Sequence, residues 1–94
     1  MLTEEFTERL YKKAIEEHGA FLQTVVAIEE MAELQKELSK AIRNDENIGH
    51  IAEEIADVEI MLSQIKIIYG ISEAEVNAHK EYKLRRLERN LKEG

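Results

Sequence analysis

The sequence predicts an all-α fold, an antiparallel four-helix bundle-like subunit that assembles into an oligomer. Three observations lead to this prediction. The chain has no proline and only four glycines among its 94 residues. Its apolar residues recur at steps of three and four, which is the spacing of an amphipathic helix. The connections between these periodic segments are short, and short connections between long helices favour antiparallel neighbours.

Four periodic segments are assigned to helices, and they cover residues 2–17, 20–43, 48–69 and 73–91. Thr3 is a suitable N-cap for the first helix, and Ser72 with Glu75 forms a capping box for the fourth. Gly19 ends the first helix, and Gly70 suits the left-handed position that follows the third. The polar turn NDEN separates the second helix from the third.

Length and composition limit the class of protein. A chain of 94 residues suits one domain, residues 1–94, and so small a domain buries little core unless it self-associates. The absence of cysteine excludes a disulfide scaffold, a thiolate zinc site and a cysteine nucleophile. No apolar run has the length of a membrane span, and the acidic N-terminal segment is unlike a signal peptide. We therefore expect a cytoplasmic protein that has no membrane partner.

The charge is negative overall but unevenly distributed. A net charge of −7 argues against a nucleic-acid partner, because phosphate backbones require a basic surface. Residues 1–60 contain 15 acidic and 6 basic residues, whereas residues 79–92 contain six basic and two acidic residues. Such a division would suit a ligand that carries both a metal ion and phosphate. It would equally arise if the two regions attract each other within the fold.

Two pairs of carboxylates lie at the margins of the apolar helix faces. At 100° per residue, Glu30 and Glu33 share a stripe of the second helix, and Glu54 and Asp57 share a stripe of the third. Two like charges about 5 Å apart cost roughly 3 kcal/mol at an effective dielectric constant near 20. Carboxylates that face each other therefore need protons, basic side chains or cations, and hard divalent cations prefer oxygen ligands.

The segments QTVVAIEEMAEL and EEIADVEIML resemble the MazG-like, all-α nucleoside triphosphate pyrophosphohydrolases. That superfamily includes dimeric dUTPases, dCTP pyrophosphatases and phosphoribosyl-ATP pyrophosphohydrolases. Its signature is E-x-x-E, a spacer and E-x-x-D, often with a glutamine seven residues before the first glutamate, here Gln23. The resemblance covers about residues 20–89.

The resemblance implies a site as well as a fold. Glu30, Glu33, Glu54 and Asp57 would be the catalytic ligands of Mg²⁺, with Mn²⁺ as the alternative ion, in a homodimer or homotetramer. Gln23 would contact the substrate.

On the fourth helix, Lys83 and Arg86 share a stripe with His79 and would bind the phosphates. The family often has an asparagine on this helix, where this chain has Leu84, so the contacts to base and sugar are not carried over.

The expected activity is hydrolysis of a nucleoside triphosphate to the monophosphate and pyrophosphate. Two alternatives remain at this point. One is phosphoribosyl-ATP hydrolysis by the same kind of site. The other is a non-catalytic helical module whose acidic stripes bind a basic partner or determine oligomer pairing.

Overall fold

The computed structural model of the protein describes residues 2–93, which form four α-helices and no strand. The helices are α1 (Glu4–His18), α2 (Ala20–Ile42), α3 (Ile48–Tyr69) and α4 (Glu73–Glu93). The predicted all-α class and the predicted number of helices are confirmed. Within residues 2–93, none of these helices combines the length and the apolar character that crossing a membrane requires.

Both predicted N-caps are present. The Thr3 hydroxyl accepts a hydrogen bond from the backbone N–H of Phe6 at 3.1 Å, and the Ser72 hydroxyl accepts one from the N–H of Glu75 at 3.1 Å. Each bond satisfies a backbone donor that the first turn of a helix leaves without a partner. The helices consequently begin one residue after these caps, at Glu4 and at Glu73.

Each of the three connections between helices contains a residue with a positive φ angle, namely Gly19, Asn44 or Gly70. Gly70 (φ 64°) ends α3, and Asn44 (φ 68°) takes the same conformation after α2. Asparagine tolerates this region better than most residues that have a side chain. Gly19 has φ 89° and ψ 151°, a combination that is essentially restricted to glycine, and it alone connects α1 to α2.

The centre of the structure is an antiparallel hairpin of α2 and α3, against which α1 packs. The two helices face each other along a line that we call the seam. On α2 the seam contains Gln23, Glu30, Glu33 and Glu37. Opposite them it contains Gln64, Met61, Asp57 and Glu54 of α3, and Asn47 immediately before α3. Both series advance at steps of three, four or seven residues, as facing helices require. Eight of these nine side chains are polar, so a line of polar side chains runs along the hairpin beside the buried Ala27.

The fourth helix extends away from the other three. Of the residues that the structure describes, none in α4 brings its backbone against α1, α2 or α3, and Val76 is its only residue that is not largely exposed. Lys66 near the end of α3 forms an ion pair with Glu73 at 2.7 Å, which connects the start of α4 to α3. The radius of gyration is 16.3 Å, against about 12 Å for a compact domain of this length. The single chain therefore contains three packed helices and one unpacked helix.

The chain buries little apolar surface by itself. Among residues 2–93, Ala27 and Met61 are the buried hydrophobic residues. Large apolar side chains instead form exposed stripes on the sides of α2 and α3 that turn away from the seam. These outer stripes contain Phe21, Ile28 and Ile42 on α2, and Ile48, Ile55 and Leu62 on α3. So large an exposed apolar surface is characteristic of chains that associate.

We expect the protein to self-associate through the outer stripes. Replacing Ile28 and Ile55 together by glutamine should lower the oligomer mass, because each side chain is at least 42% exposed in the single chain and would be covered in an assembly. Sedimentation velocity at micromolar concentration measures the mass. Lys36→Gln, a polar change on the surface of α2, is the matched control and should leave the mass unchanged. A wild-type monomer at these concentrations would contradict the prediction.

Candidate metal centre

Three carboxylates meet in the middle of the seam. Glu30 comes from α2, and Glu54 and Asp57 come from successive turns of α3. One oxygen atom of each lies within 4.8 Å of the other two, and all three residues are partly buried. They meet because α2 and α3 run antiparallel and because a three-residue step returns to the same helix face.

Burial and mutual repulsion both act on these carboxylates. Partial burial is the largest cause that raises the pKa of Glu30, and the charges of Asp57 and Glu54 raise this pKa further. The Asp57 carboxyl group is also close enough to share a proton with Glu30, which acts on the pKa in the same direction. Burial also raises the pKa of Glu54, followed by the charges of Asp57 and Glu33. Every cause acts to raise the pKa of these two residues, and no basic group is among them.

Glu54 shows that the group lacks a positive partner. Its Oε2 atom is shielded from solvent and, within the described residues, has no hydrogen-bond partner. A buried carboxylate oxygen without a donor is costly, because it has lost its water without a replacement. Two oxygens bound to one Mg²⁺ at about 2.1 Å lie at most about 4.2 Å apart, so small side-chain rotations would bring the three carboxylates around a cation. Glu30, Glu54 and Asp57 therefore fit a hard divalent ion.

The fourth predicted ligand is placed differently. Glu33 is exposed and is not among the three residues whose oxygens converge within 4.8 Å. It lies near them all the same, since its charge contributes to the raised pKa values of Glu30 and Glu54. The structure thus brings three of the predicted ligands together and leaves Glu33 at the solvent side of the group.

Gln23, predicted to contact substrate, lies inside the seam. Its side chain is buried, and its Nε2 donates a hydrogen bond to Oε1 of Gln64 at 2.6 Å. Gln64 is also buried, and its own Nε2 lies 3.7 Å from the sulfur of Met61. Gln23 is therefore engaged with α3 and does not point freely towards a ligand.

The predicted phosphate-binding residues are remote from the carboxylates within one chain. Lys83 and Arg86 are exposed on α4, which does not pack against α2 or α3. Neither residue is among the charges that act on Glu30 or Glu54. In a single chain they are a solvated basic surface.

Sequence reasoning did not identify Asn47, a buried polar residue at the turn end of the seam. Its Nδ2 donates a hydrogen bond to the backbone oxygen of Glu37 at 2.8 Å and lies 3.5 Å from Oε1 of the same residue. Lys40 forms an ion pair with Glu37 at 3.2 Å. Glu37 is buried, and although burial acts to raise its pKa, the hydrogen bonds from Lys40 and Asn47 lower it overall. Glu37 is thus a satisfied carboxylate, in contrast to Glu54.

Comparison of the chain with models of known families gives no match, and comparison with curated proteins and with solved structures gives none either. The resemblance to the MazG-like enzymes therefore depends on the two acidic motifs and the residues around them.

The raised pKa values predict how the stability of the metal-free protein depends on pH. The pKa values of folded Glu30 and Glu54 lie above 4.5, their ordinary value, so the folded state binds protons more tightly than the unfolded chain from about pH 4.5 upward. Stability should rise as pH falls from 7 towards 5. The lowered pKa values of Glu37 and Glu73 act below pH 4.5 and do not oppose this rise.

Glu30→Gln should raise the Tm of the metal-free protein at pH 7 by several degrees and reduce its increase on acidification, because the substitution removes one of the repelling charges. Thermal unfolding followed by circular dichroism in chelator at pH 7 and pH 5 measures both effects. Glu16→Gln, at an exposed position on α1, is the matched control for loss of one carboxylate. Equal pH dependence in the wild type and in Glu30→Gln would contradict the raised pKa values.

Proposed function

We propose that the protein is a Mg²⁺-dependent pyrophosphohydrolase that converts a nucleoside triphosphate to the monophosphate and pyrophosphate. The observation that carries the proposal is the convergence of Glu30, Glu54 and Asp57 across the seam, with one oxygen of Glu54 buried and without a partner. The two acidic motifs that supply these residues also carry the family resemblance. The partial burial of these residues and their convergence from two helices support a cation site over a solvated acidic surface.

In this proposal the three carboxylates hold the ion, with Mn²⁺ as an alternative. When bound, the ion would neutralise phosphate charge and make a coordinated water a better nucleophile. In the hydrolysis, the oxygen of a water molecule would add to phosphorus, the bond between that phosphorus and the bridging oxygen would break to release pyrophosphate, and a carboxylate of this chain would take the proton of the water. Glu29, Glu33 and Glu53 are all exposed, and Glu33 is preferred as the proton acceptor because its charge contributes to the raised pKa values of both Glu30 and Glu54.

Helix α4, the basic helix, would contribute to the site through self-association of the chain. Lys83 and Arg86 cannot be phosphate ligands at the carboxylates of their own chain while α4 extends into solvent. A homodimer or homotetramer that covers the outer stripes would allow α4 of one copy to approach the seam of another. The acidic surface of residues 1–60 and the basic surface of residues 79–92 would attract each other in such an assembly.

The experiment that tests the function is a pyrophosphate-release screen with Mg²⁺. It compares ribonucleoside and deoxyribonucleoside triphosphates, with phosphoribosyl-ATP as a separate substrate. Release of pyrophosphate together with the nucleoside monophosphate supports the proposal. Activity restricted to phosphoribosyl-ATP would instead favour the alternative within the same class of enzyme.

The carboxylates should act as a unit. Glu30→Gln and Asp57→Asn should each reduce turnover by at least a hundredfold while leaving helical content intact, because each removes a charged ligand from the same ion. Glu16→Gln should retain full turnover. Near-complete activity of both site variants in Mg²⁺ would contradict the assignment of the site.

The basic helix should affect the substrate and not the metal. Arg86→Lys should reduce kcat/KM at least tenfold, because the guanidinium can hold phosphate through two parallel hydrogen bonds and an ammonium cannot. Lys83→Ala should raise KM. Neither change should alter the Mg²⁺ concentration that stabilises the substrate-free protein. Arg89→Lys is the matched control on the same helix and should retain activity.

A non-catalytic helical module remains the rival, and the exposed outer stripes and α4 are the observations that favour it. The two functions differ in their response to Mg²⁺. Only converging metal ligands predict that millimolar Mg²⁺ raises the Tm of the wild type and fails to raise that of Glu30→Gln.

A further inference from the structure

The seam brings like charges together in its middle and hydrogen-bonded amides at its ends. Glu30, Glu54 and Asp57 repel one another, and without other forces α2 and α3 would separate or rotate to relieve that repulsion. The Gln23–Gln64 hydrogen bond lies two helical turns from these carboxylates, towards the start of α2. The Asn47–Glu37 hydrogen bond lies on the other side of them, at the turn between the helices.

Gln23 and Gln64, which we call the glutamine pair, have properties that an apolar contact would lack. Both side chains are more than nine-tenths buried, and the bond that joins them is short at 2.6 Å. The amide of Gln64 is also oriented from its own helix by Met61. Buried polar side chains in helix pairs are known to fix pairing geometry at some cost in stability, because a hydrogen bond is directional and an apolar contact is not.

We propose that Gln23 and Gln64 are positioning residues, which hold α2 and α3 at the separation and rotation where Glu30, Glu54 and Asp57 converge. The inference rests on the proposed function, since the site it serves is the proposed metal centre. It assigns Gln64 a role in that site and gives Gln23 a different role from the substrate contact that the sequence suggests. The connection of residues 43–47 already determines which residues of α2 and α3 face each other. The glutamine pair would therefore adjust the distance and the angle between these two helices.

The test separates stability from positioning by means of a double-mutant cycle. Gln23→Leu and Gln64→Leu each leave one buried amide without a partner and should lower the Tm. The double variant leaves no orphaned amide, and its Tm without metal should return to the wild-type value or above. Gln35→Leu, at an exposed glutamine of α2, is the matched control.

The first measurement needs no metal and no activity. Because the chain contains no cysteine, Ala32→Cys and Ala56→Cys can be spin-labelled on exposed positions of α2 and α3. The labelled chain is diluted with unlabelled protein so that distances within one chain dominate. Pulsed electron paramagnetic resonance should show a distance distribution that is broader, or shifted to longer distance, in the double leucine variant than in the wild type and in Gln35→Leu. An unchanged distribution would overturn the proposal.

The second measurement connects the glutamine pair to the site. The Mg²⁺ concentration that gives half of the maximal Tm increase should be at least fivefold higher in the double leucine variant, although its metal-free Tm has recovered. An unchanged Mg²⁺ midpoint would overturn the positioning role. A wild-type protein whose Tm does not respond to Mg²⁺ would instead refute the proposed function, and the spin-label distances would still decide whether the glutamine pair positions the helices.

Discussion

Electrostatic repulsion across the α2–α3 seam is the constraint on which the rest of this structure depends. Three partly buried carboxylates share the middle of the hairpin, and Glu54 has an oxygen without a partner. An ordinary helix hairpin would place apolar side chains at these positions and gain stability from burying them. Here polar side chains occupy much of the line between the two helices, and many large apolar side chains of the chain lie exposed. The arrangement is favourable to binding a cation and unfavourable to an isolated subunit.

Much of the fold could be predicted from local sequence. Thr3 and Ser72 are helix caps, and Gly19 and Gly70 separate helices, because these roles depend on short-range hydrogen bonds and on backbone conformations that few residues adopt. The approach of Glu30 to Glu54 and Asp57 was also predictable, since three-residue spacing on two antiparallel helices places both motifs on facing sides.

Other features could not be predicted because they depend on distant contacts. The stripe that contains Gln23 was recognisable, but its hydrogen bond to Gln64 requires the relative rotation of two helices, which periodicity does not give. The exposure of α4 was not expected either. Leu84, Leu87 and Leu91 have the spacing of a packed face, and helical periodicity is the same whether that face packs within its own chain or against another. The exposed position of Glu33 beside three partly buried carboxylates has a similar origin, because side-chain burial depends on the angle at which the helices cross.

The single-residue junction at Gly19 has a consequence for how this chain can vary. A longer connection could absorb an inserted or deleted residue by changing its own path, but here α1 ends at His18 and α2 begins at Ala20. One residue added near the end of α1 would rotate the preceding part of that helix by about 100° relative to α2. Tyr11, which lines a groove beside Ile67 of α3, would then face elsewhere. Sequences that keep this architecture should therefore vary in length at the ends of the chain, and keep the number of residues between Thr3 and Glu30 constant.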